Sequence, residues 1–417
     1  MEGGEVYPPA EERFAPSVGK IGGPAPKDLP WTEKVELGLF YIKSADDAFS
    51  LYIKGRLQVD GAFVLDEDRE AFDNSFQIRR ARIEFVGHVH ERLEYNIGLE
   101  FGRTSDADLR NAFLELRVSD ELRIRAGQQL LPYSTVRLTS SKYLNHPERT
   151  MLIGNIVEER DTGVMVHGQL GELARYYLGV FNGNGQNERF DTDDDFDLAT
   201  RLELQPAPFL LLTANYIYSP PDREQQRLVD FRTVGNAFST FLDYLPGVQT
   251  RGKRHRVGGG FKLMFGPFEL KAEVDADHHQ EVVSPAGRRA DLTNWSYYVD
   301  LAYVLTGEDI QQKDDGGVVV PDAPLYDTHT KQWGPGAWQL AVRFEDLYLD
   351  DATVRRGFAV GSDQARAVTT TLHWYLWKEV RFSVAYTYTH FEDGYRDPDG
   401  DRVIDENAIL TRFAVFF

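Results

Sequence analysis

A two-residue period of apolar side chains is the feature that most constrains this chain. Alternate residues of a strand point to opposite faces, and in the segment 49–63 one face is apolar and the other polar. The apolar face carries Phe49, Leu51, Ile53, Leu57, Val59 and Phe63, and the polar face carries Lys54, Arg56, Gln58 and Asp60. No window approaches the roughly 18 consecutive apolar residues of a spanning helix. The pattern therefore predicts two-faced strands.

The same period predicts about sixteen strands, each about ten residues long, as a tilted strand needs to cross a bilayer. They lie near 49–63, 77–88, 92–102, 110–118, 121–130, 161–169, 173–182, 197–206, 209–218, 254–265, 268–279, 293–306, 336–346, 366–376, 379–390 and 408–417.

Short and long connections alternate between these strands. Turns such as His90–Glu91 and Gly266–Pro267 are short, whereas the polar loops on the other side are long. These loops lie near 65–76, 103–109, 131–160, 183–196, 219–253, 280–292, 347–365 and 391–407. Residues 307–335 break the alternation, because they are long yet fall on the short-turn side. They either form a periplasmic excursion or hide a strand.

We therefore predict an all-β fold, a sixteen-stranded antiparallel transmembrane β-barrel with short periplasmic turns and long extracellular loops. The barrel is expected over 49–417, after an N-terminal periplasmic or flexible segment over 1–48. A soluble multi-domain β-sandwich is the alternative. Tyrosine recurs on the apolar faces, for example at Tyr303, Tyr386 and Tyr388. This favours a membrane interface over a dry core, where each hydroxyl would need a partner.

The last strand ends in an aromatic residue. Ile409, Thr411, Phe413, Val415 and Phe417 share one face. A terminal aromatic after alternating apolar residues resembles the signal that the bacterial barrel-assembly machinery reads. A closing strand must also pair with the first one.

Composition narrows the compartment and the partners. The chain has 417 residues, no cysteine and a formal charge of −20. Without cysteine there is no disulfide framework, and the acidic balance argues against nucleic-acid binding. Residues 1–30 lack the apolar core of a signal peptide. An outer-membrane location therefore implies that a signal peptide was removed.

The polar faces place both signs of charge in the lumen, with a mild excess of cations. Arg79, Arg80 and Arg82 lie close to Arg56, and such like charges repel unless anions neutralise them. Anion pores use Arg and Lys rings in this way, and the guanidinium fork suits phosphate. A structural reading stays open for each arginine, because porin walls also pair Arg with Glu across strands.

Several blocks resemble one family. They include GRLQVDGAF at 55–63, FQIRRARIEFVGHV at 76–89, LTSSKYLNHPERTML at 138–152 and GAWQLAVRFEDLYLDD at 336–351. The chain resembles the phosphate-selective porins O and P over roughly residues 49–417. The resemblance implies a trimeric barrel with an anion pathway and a loop, 131–160, folded into the lumen. The polar strand faces already place Arg56, Arg80, Arg82, Arg123, Arg125, Arg254 and Arg256 in the lumen. The resemblance adds Arg79, Arg137, Lys142 and Arg251, and these eleven are the expected pore-lining, anion-binding residues.

We thus expect passive diffusion of small anions, phosphate or polyphosphate among them. The alternative is a non-selective or sugar-type porin with lumen aromatics such as Tyr52, Phe113 and Tyr298. No catalytic, metal or cofactor constellation emerges, and we expect no enzyme activity. The expected partners are small anions, the lipid bilayer with lipopolysaccharide, two further copies in a homotrimer, and the barrel-assembly machinery, which would read the strand ending at Phe417.

Overall fold

Sixteen antiparallel strands of the described chain form one closed barrel. The computed structural model describes residues 40–44, 48–65, 74–102, 107–156, 159–188, 195–221, 226–233, 239–313, 316–397 and 399–417. The barrel strands are β1 Phe49–Val64, β2 Ser75–Val89, β3 Leu93–Glu100, β4 Asp108–Arg117, β5 Arg123–Leu130, β6 Arg160–Leu170, β7 Ala174–Phe181, β8 Asp197–Ala207, β9 Leu210–Ser219, β10 Arg254–Phe265, β11 Phe268–Val283, β12 Arg289–Val304, β13 Ala337–Tyr348, β14 Gln364–Trp377, β15 Val380–Arg396 and β16 Arg402–Phe416. The predicted fold class is confirmed, and each barrel strand coincides with a predicted one.

Short elements decorate the connections. The described helices are α1 Thr135–Leu138, α2 Met151–Asn155 and α3 Ala352–Arg355. The short strands are Phe40–Lys43, Gln226–Arg227, Phe231–Arg232, Thr240–Tyr244, Gln249–Thr250, Gln311–Lys313, Gly316–Val318, Tyr326–Asp327, Gln332–Trp333 and Ala359–Gly361. No helix in the described ranges is long and apolar enough to cross a membrane.

The last strand closes the barrel, as its sequence predicts. β16 pairs with β1 in register, with Phe63 opposite Ile409 and Arg56 opposite Phe416. The pairing ends where Gly55 and Phe417 exchange backbone hydrogen bonds of 2.7 and 3.1 Å. Phe40–Lys43 then pairs with the next part of β1, Ser50–Ile53. Of the predicted N-terminal segment over 1–48, residues 1–39 and 45–47 lie outside the described residues.

The alternation sorts side chains between the outer face and the lumen. Leu57 and Val59 are exposed on the outside, whereas their sequence neighbours Arg56 and Asp60 are buried inside. Exposed Tyr and Trp residues mark both membrane interfaces on the strands after β6, as expected of amphipathic rings. They include Trp295, Tyr297, Tyr303, Tyr348, Tyr386 and Tyr388.

Two predicted extracellular loops are shorter than the alternation suggests. Predicted loops 280–292 and 391–407 shrink to 284–288 and 397–401, because the flanking strands continue to pair above the membrane. Val283 pairs with Arg289, and Arg396 pairs with Arg402. Both faces of such an extension meet water, so the two-residue period that reveals a strand is lost there. Gly287 and Gly400, with φ of 77° and 90°, allow the tight turns.

The exceptional connection at 307–335 hides no barrel strand among its described residues. It forms two small hairpins, Gln311–Lys313 with Gly316–Val318 and Tyr326–Asp327 with Gln332–Trp333. Ile310 and Val319 pack with residues at the periplasmic ends of barrel strands, Met264, Val304, Ala337 and Tyr375. The excursion is therefore anchored to the lower rim.

Candidate anion pathway through the lumen

The segment 131–159, which we call the constriction loop, lies between β5 and β6, and its described residues 131–156 and 159 fold into the barrel. At the start of α1, Glu273 of β11 accepts hydrogen bonds from the Ser134 hydroxyl and the Thr135 backbone N–H, both at 3.0 Å. At the start of α2, Glu345 of β13 accepts the Met151 N–H at 2.6 Å. Both helix N-termini thus receive a carboxylate from the wall, which satisfies unpaired N–H groups.

The middle of the loop binds the same side of the barrel. His373 Nε2 lies 2.8 Å from the Asn145 carbonyl oxygen, and Arg381 donates to the Leu144 carbonyl at 3.2 Å. The wall from β11 to β15 is therefore sealed against the loop. A path for ions would therefore run on the other side of the loop.

Exposure of the lumen side chains agrees with this path. On the sealed side Lys271 and Arg343 are almost completely buried. On the other side several lumen residues keep partial exposure, namely Lys54, Glu84, Asn96, Phe113 and Arg125. Ions that cross the barrel would meet this second group.

A β-bulge directs two adjacent arginines into the lumen. Gln58 of β1 pairs with Arg80 and Val59 pairs with Ile78, so Arg79 is an extra residue on β2. A bulge lets neighbouring side chains share a face that strict alternation would divide. Arg79 binds Glu148 of the constriction loop through two hydrogen bonds of 2.9 and 3.0 Å. Arg80 lies 3.7 Å from the same carboxylate.

Glu148 is the centre of a buried ion cluster that also holds Arg412 of β16 and Asp60 of β1. Arg412 donates to Glu148 and, at 2.7 and 2.6 Å, to the two oxygens of Asp60. Burial alone would raise the pKa of the Glu148 carboxyl, but the guanidiniums of Arg79, Arg80 and Arg412 outweigh it and hold that pKa well below its usual range. These five residues form what we call the Glu148 cluster.

A second cluster surrounds Glu84 and is more positive. Arg56 donates to Glu84 at 2.8 Å, and Arg82 lies 3.8 Å from it. Lys54 stands opposite Glu84 in the strand register, and Lys142 of the constriction loop lies within electrostatic reach. Arg82 also binds the buried Glu100 at 3.1 Å. We call Lys54, Arg56, Arg82, Lys142 and Glu84 the Glu84 cluster.

The Glu84 cluster is tied to the constriction loop on one side and faces water on the other. Arg56 donates to the Ser141 hydroxyl at 2.9 Å and to the Ser140 hydroxyl at 3.3 Å. Lys54, Glu84 and Lys142 are half-buried. The cations are thus held in place yet remain partly accessible from the path.

Two predicted residues lie lower in the path. Arg125 donates to Glu115 at 2.5 Å, and its guanidinium covers the Phe113 ring at 4.3 Å. Arg123 lies 3.4 Å from Glu115 and 3.9 Å from Asp120. Glu115 also contacts His167 at 3.0 Å. Both arginines therefore share one carboxylate near the periplasmic end.

The remaining predicted residues lie higher. Arg137 of α1 donates to the Ile153 carbonyl and so ties the two loop helices together. Arg254 binds Asp277 at 2.8 and 2.9 Å and the Ile156 carbonyl at 3.0 Å, whereas Arg256 binds Asp197 at 3.0 Å. Arg251 is exposed on the extracellular side and stands apart from the others.

The residue that sequence reasoning missed is Glu148. It lies in a loop, where no periodicity assigns a direction, and its partners are 69 residues away on β2 and 264 away on β16. The one available signal was its place next to Arg149 in a loop predicted to enter the lumen. The described residues contain no group of three or more His, Asp or Glu side chains arranged to hold a metal ion.

A closed sixteen-stranded barrel with an inward loop and a charged lumen is the architecture of an outer-membrane porin, a channel protein rather than an enzyme. The model of the family phosphate-selective porin O and P matches residues 52–417. The chain belongs to that family, and its location is the bacterial outer membrane.

Individual relatives agree with this assignment. Porin O of Pseudomonas aeruginosa is 24% identical over 409 residues, covering 90% of each chain. An uncharacterized protein of Aquifex aeolicus is 23% identical over 253 residues, 54% of this chain and 57% of that one.

Solved structures show the same fold. The outer-membrane channel DcaP of Acinetobacter baumannii gives a TM-score of 0.58 at 11% identity, with 90% of this chain and 99% of that chain covered. The trimer form of OmpT from Vibrio cholerae gives 0.55 at 10% identity, with 89% and 100% covered.

Proposed function

We propose that this porin passes small anions by passive diffusion, with phosphate and polyphosphate among them, and that the Glu84 cluster selects them. The observation that carries the proposal is the balance of charge at that cluster. Four cations converge on Glu84, and Glu100 is the second carboxylate that binds one of them. Positive charge on a water-accessible constriction attracts anions and repels cations.

The Glu148 cluster supports selectivity less directly. Its arginines are buried against the loop, and each binds or closely approaches a carboxylate. A buried guanidinium held in this way has few directions left in which to bind a passing anion. Its proposed role is to hold the constriction loop at its place, so that Lys142 faces the path.

The sugar-channel alternative needs aromatic rings along the path. Tyr298 is buried and donates its hydroxyl to Glu273 at 3.2 Å, and Phe113 lies under the Arg125 guanidinium. Of the three aromatics in that hypothesis, Tyr52 alone keeps partial exposure without a contact to Glu273 or Arg125 that would take it out of the path. The geometry therefore favours the anion channel.

The test is the reversal potential of single channels in a KCl gradient, repeated with phosphate on one side. We expect a reversal potential close to the equilibrium potential of chloride. The chloride current should fall as phosphate competes. A cation-preferring current, or an unselective current that phosphate leaves unchanged, would overturn the proposal.

We further propose a homotrimer whose contacts use the outer face of β1–β4. The outward residues of these strands are Phe, Ile, Leu, Val, Ala and Gly, with Tyr95 as the amphipathic exception. The Tyr95 hydroxyl is already bound to the Ser50 carbonyl at 3.0 Å. A lipid-facing wall is expected to carry Tyr and Trp at both interfaces, as the later strands do.

Single-cysteine spin labels test the trimer wall, and the chain has no native cysteine to remove. A label at Leu114→Cys on β4 should be immobile and poorly accessible to oxygen dissolved in the bilayer. A matched label at Leu301→Cys on β12 should be oxygen-accessible. Equal accessibility at both positions would contradict the proposed wall.

The terminal Phe417 strand, which pairs with β1, suits recognition by the barrel-assembly machinery before closure.

A further inference from the structure

A basic cluster on the extracellular rim stands apart from both lumen clusters. Arg288 ends the turn between β11 and β12, Arg289 begins β12, and Arg355 and Arg356 lie at the end of α3. The four side chains are exposed and line an open cleft of about 470 Å³. We call them the rim cluster.

Part of the rim cluster has a structural role. Arg288 donates to the Arg356 carbonyl at 2.6 Å and to the Gly357 carbonyl at 3.4 Å, so it caps the carboxyl end of α3. Arg289 binds Glu281 at 2.7 Å, but both side chains are largely exposed, and such a pair contributes little.

Arg355 and Arg356 have no such role. Within the part of the chain that the structure describes, Glu281 is the one carboxylate at ion-pair distance from any of the four guanidiniums. Four positive groups around one cleft repel each other. An anion with several negative oxygens would bind there with charge-assisted, bidentate hydrogen bonds.

The position of the cluster points to the membrane rather than the pore. Arg289 is on the outward face of β12, six residues beyond Trp295 of the upper aromatic belt. Six residues of a tilted strand rise about 15 Å, a height at which the phosphorylated sugars of an outer leaflet lie. The lumen side of β12 at this level is closed, because Leu292 and Asn294 are buried.

We propose that the rim cluster binds phosphate groups of the outer-leaflet lipopolysaccharide, with Arg289, Arg355 and Arg356 as the direct ligands. This goes beyond permeation, because it describes how the outside of the barrel holds the leaflet around it. Arg288 positions α3 and so the two arginines at its end.

The test measures binding of the purified full chain in detergent to immobilised lipopolysaccharide. The variant is Arg355→Glu with Arg356→Glu, which leaves the helix-capping Arg288 in place. The matched control is Arg396→Glu with Arg402→Glu, two exposed arginines of the β15–β16 hairpin that give the same change of net charge. A reversal potential equal to that of the wild type confirms that each variant is folded.

We expect the variant to bind at least about tenfold more weakly and the control to bind like the wild type. Chemically dephosphorylated lipopolysaccharide should reproduce the loss with the wild-type chain. Wild-type affinity of the variant, or an equal loss in the control, would overturn the proposal. Undiminished binding of the dephosphorylated glycolipid would do so too. Displacement by excess inorganic phosphate would assign the cluster to a free anion and overturn the lipid source.

Discussion

The Glu148 cluster and the Glu84 cluster use the same residue types for different ends. In the Glu148 cluster, two carboxylates bind three arginines, and all five side chains are buried or almost buried where the constriction loop meets the barrel wall. In the second, cations outnumber carboxylates, and Lys54, Glu84 and Lys142 remain partly exposed. Charge that is buried and mostly paired holds structure, whereas a larger cationic excess in contact with water is placed to act on ions.

This difference shows why a run of arginines is a poor guide to a selectivity filter. Arg79, Arg80 and Arg82 are close in sequence, yet the first two bind Glu148 and the third belongs to the Glu84 cluster. The bulge turns Arg79 into the lumen beside Arg80, and the partners of these two then differ from those of Arg82. What a cation does in the lumen depends on its partners and its exposure, and both are set by distant parts of the chain.

The largest expected effect comes from Glu148→Gln. This change leaves Asp60 as the remaining carboxylate of the Glu148 cluster, and breaking a buried ion pair costs about 3–5 kcal/mol. We expect the constriction loop to leave the wall, with a lower folding yield and a larger, noisier single-channel conductance.

A matched control for that variant is Glu172→Gln in an exposed periplasmic turn. It should fold and conduct like the wild type. A quiet, wild-type conductance in the Glu148→Gln channel would show that the loop is held by other contacts, such as those of Glu273 and Glu345.

The same type of substitution at the Glu84 cluster, Glu84→Gln, should change ion selectivity and leave folding unchanged. Arg56 keeps its hydroxyl partners and Arg82 keeps Glu100, so we expect the barrel to fold normally. The loss of one negative charge beside the proposed path should shift the permeability ratio toward anions by about threefold. Reversal potentials measure this shift, and an unchanged or cation-shifted ratio would remove Glu84 from the selective site.

A smaller effect is expected from acid. His146 of the constriction loop lies 2.7 Å from the Thr371 hydroxyl and 3.4 Å from Asp300. Burial lowers its pKa to about 4, with Arg343 and Lys271 adding repulsion and Asp300 opposing it. His146 therefore stays neutral while the constriction loop is bound to the wall, but it accepts a proton below about pH 6.5 once the loop is released. The free energy that holds the loop against the wall should fall by up to about 3 kcal/mol as the pH falls from 6.5 to 4. It should not change above pH 6.5.

Hydrogen exchange of the amides around His146, at several pH values, measures how firmly the loop is held against the wall. The neutral variant His146→Gln should flatten the dependence between pH 6.5 and 4. Glu148 should not contribute there, because its pKa lies well below the usual range. Exchange that is independent of pH in the wild type would contradict the account.

The barrel could be predicted from the sequence because its strands are amphipathic with a period that the bilayer imposes. Segment 49–63 shows this, and so does the closing strand that ends at Phe417. Strand extensions above the membrane, as at Arg396 and Arg402, could not be predicted, since both of their faces meet water.

The candidate site was predictable in part. The inward-facing Arg56, Arg80 and Arg82 follow from alternation, and the family resemblance pointed to Lys142. The partners could not be predicted, because Glu148 and Ser141 belong to a loop whose course depends on packing across the lumen. Which cations keep contact with water is therefore a property of the fold and not of the local sequence.

The most direct test of the central claim is the reversal potential of the double variant Lys54→Glu with Lys142→Glu in a KCl gradient. The matched control is Lys331→Glu with Lys378→Glu, which makes the same change of charge at exposed periplasmic positions. We predict that the double variant at the Glu84 cluster moves the reversal potential from near the chloride equilibrium potential toward that of potassium. The control should keep the reversal potential of the wild type. An anion preference that survives in the first variant would contradict the claim and place selectivity elsewhere in the lumen.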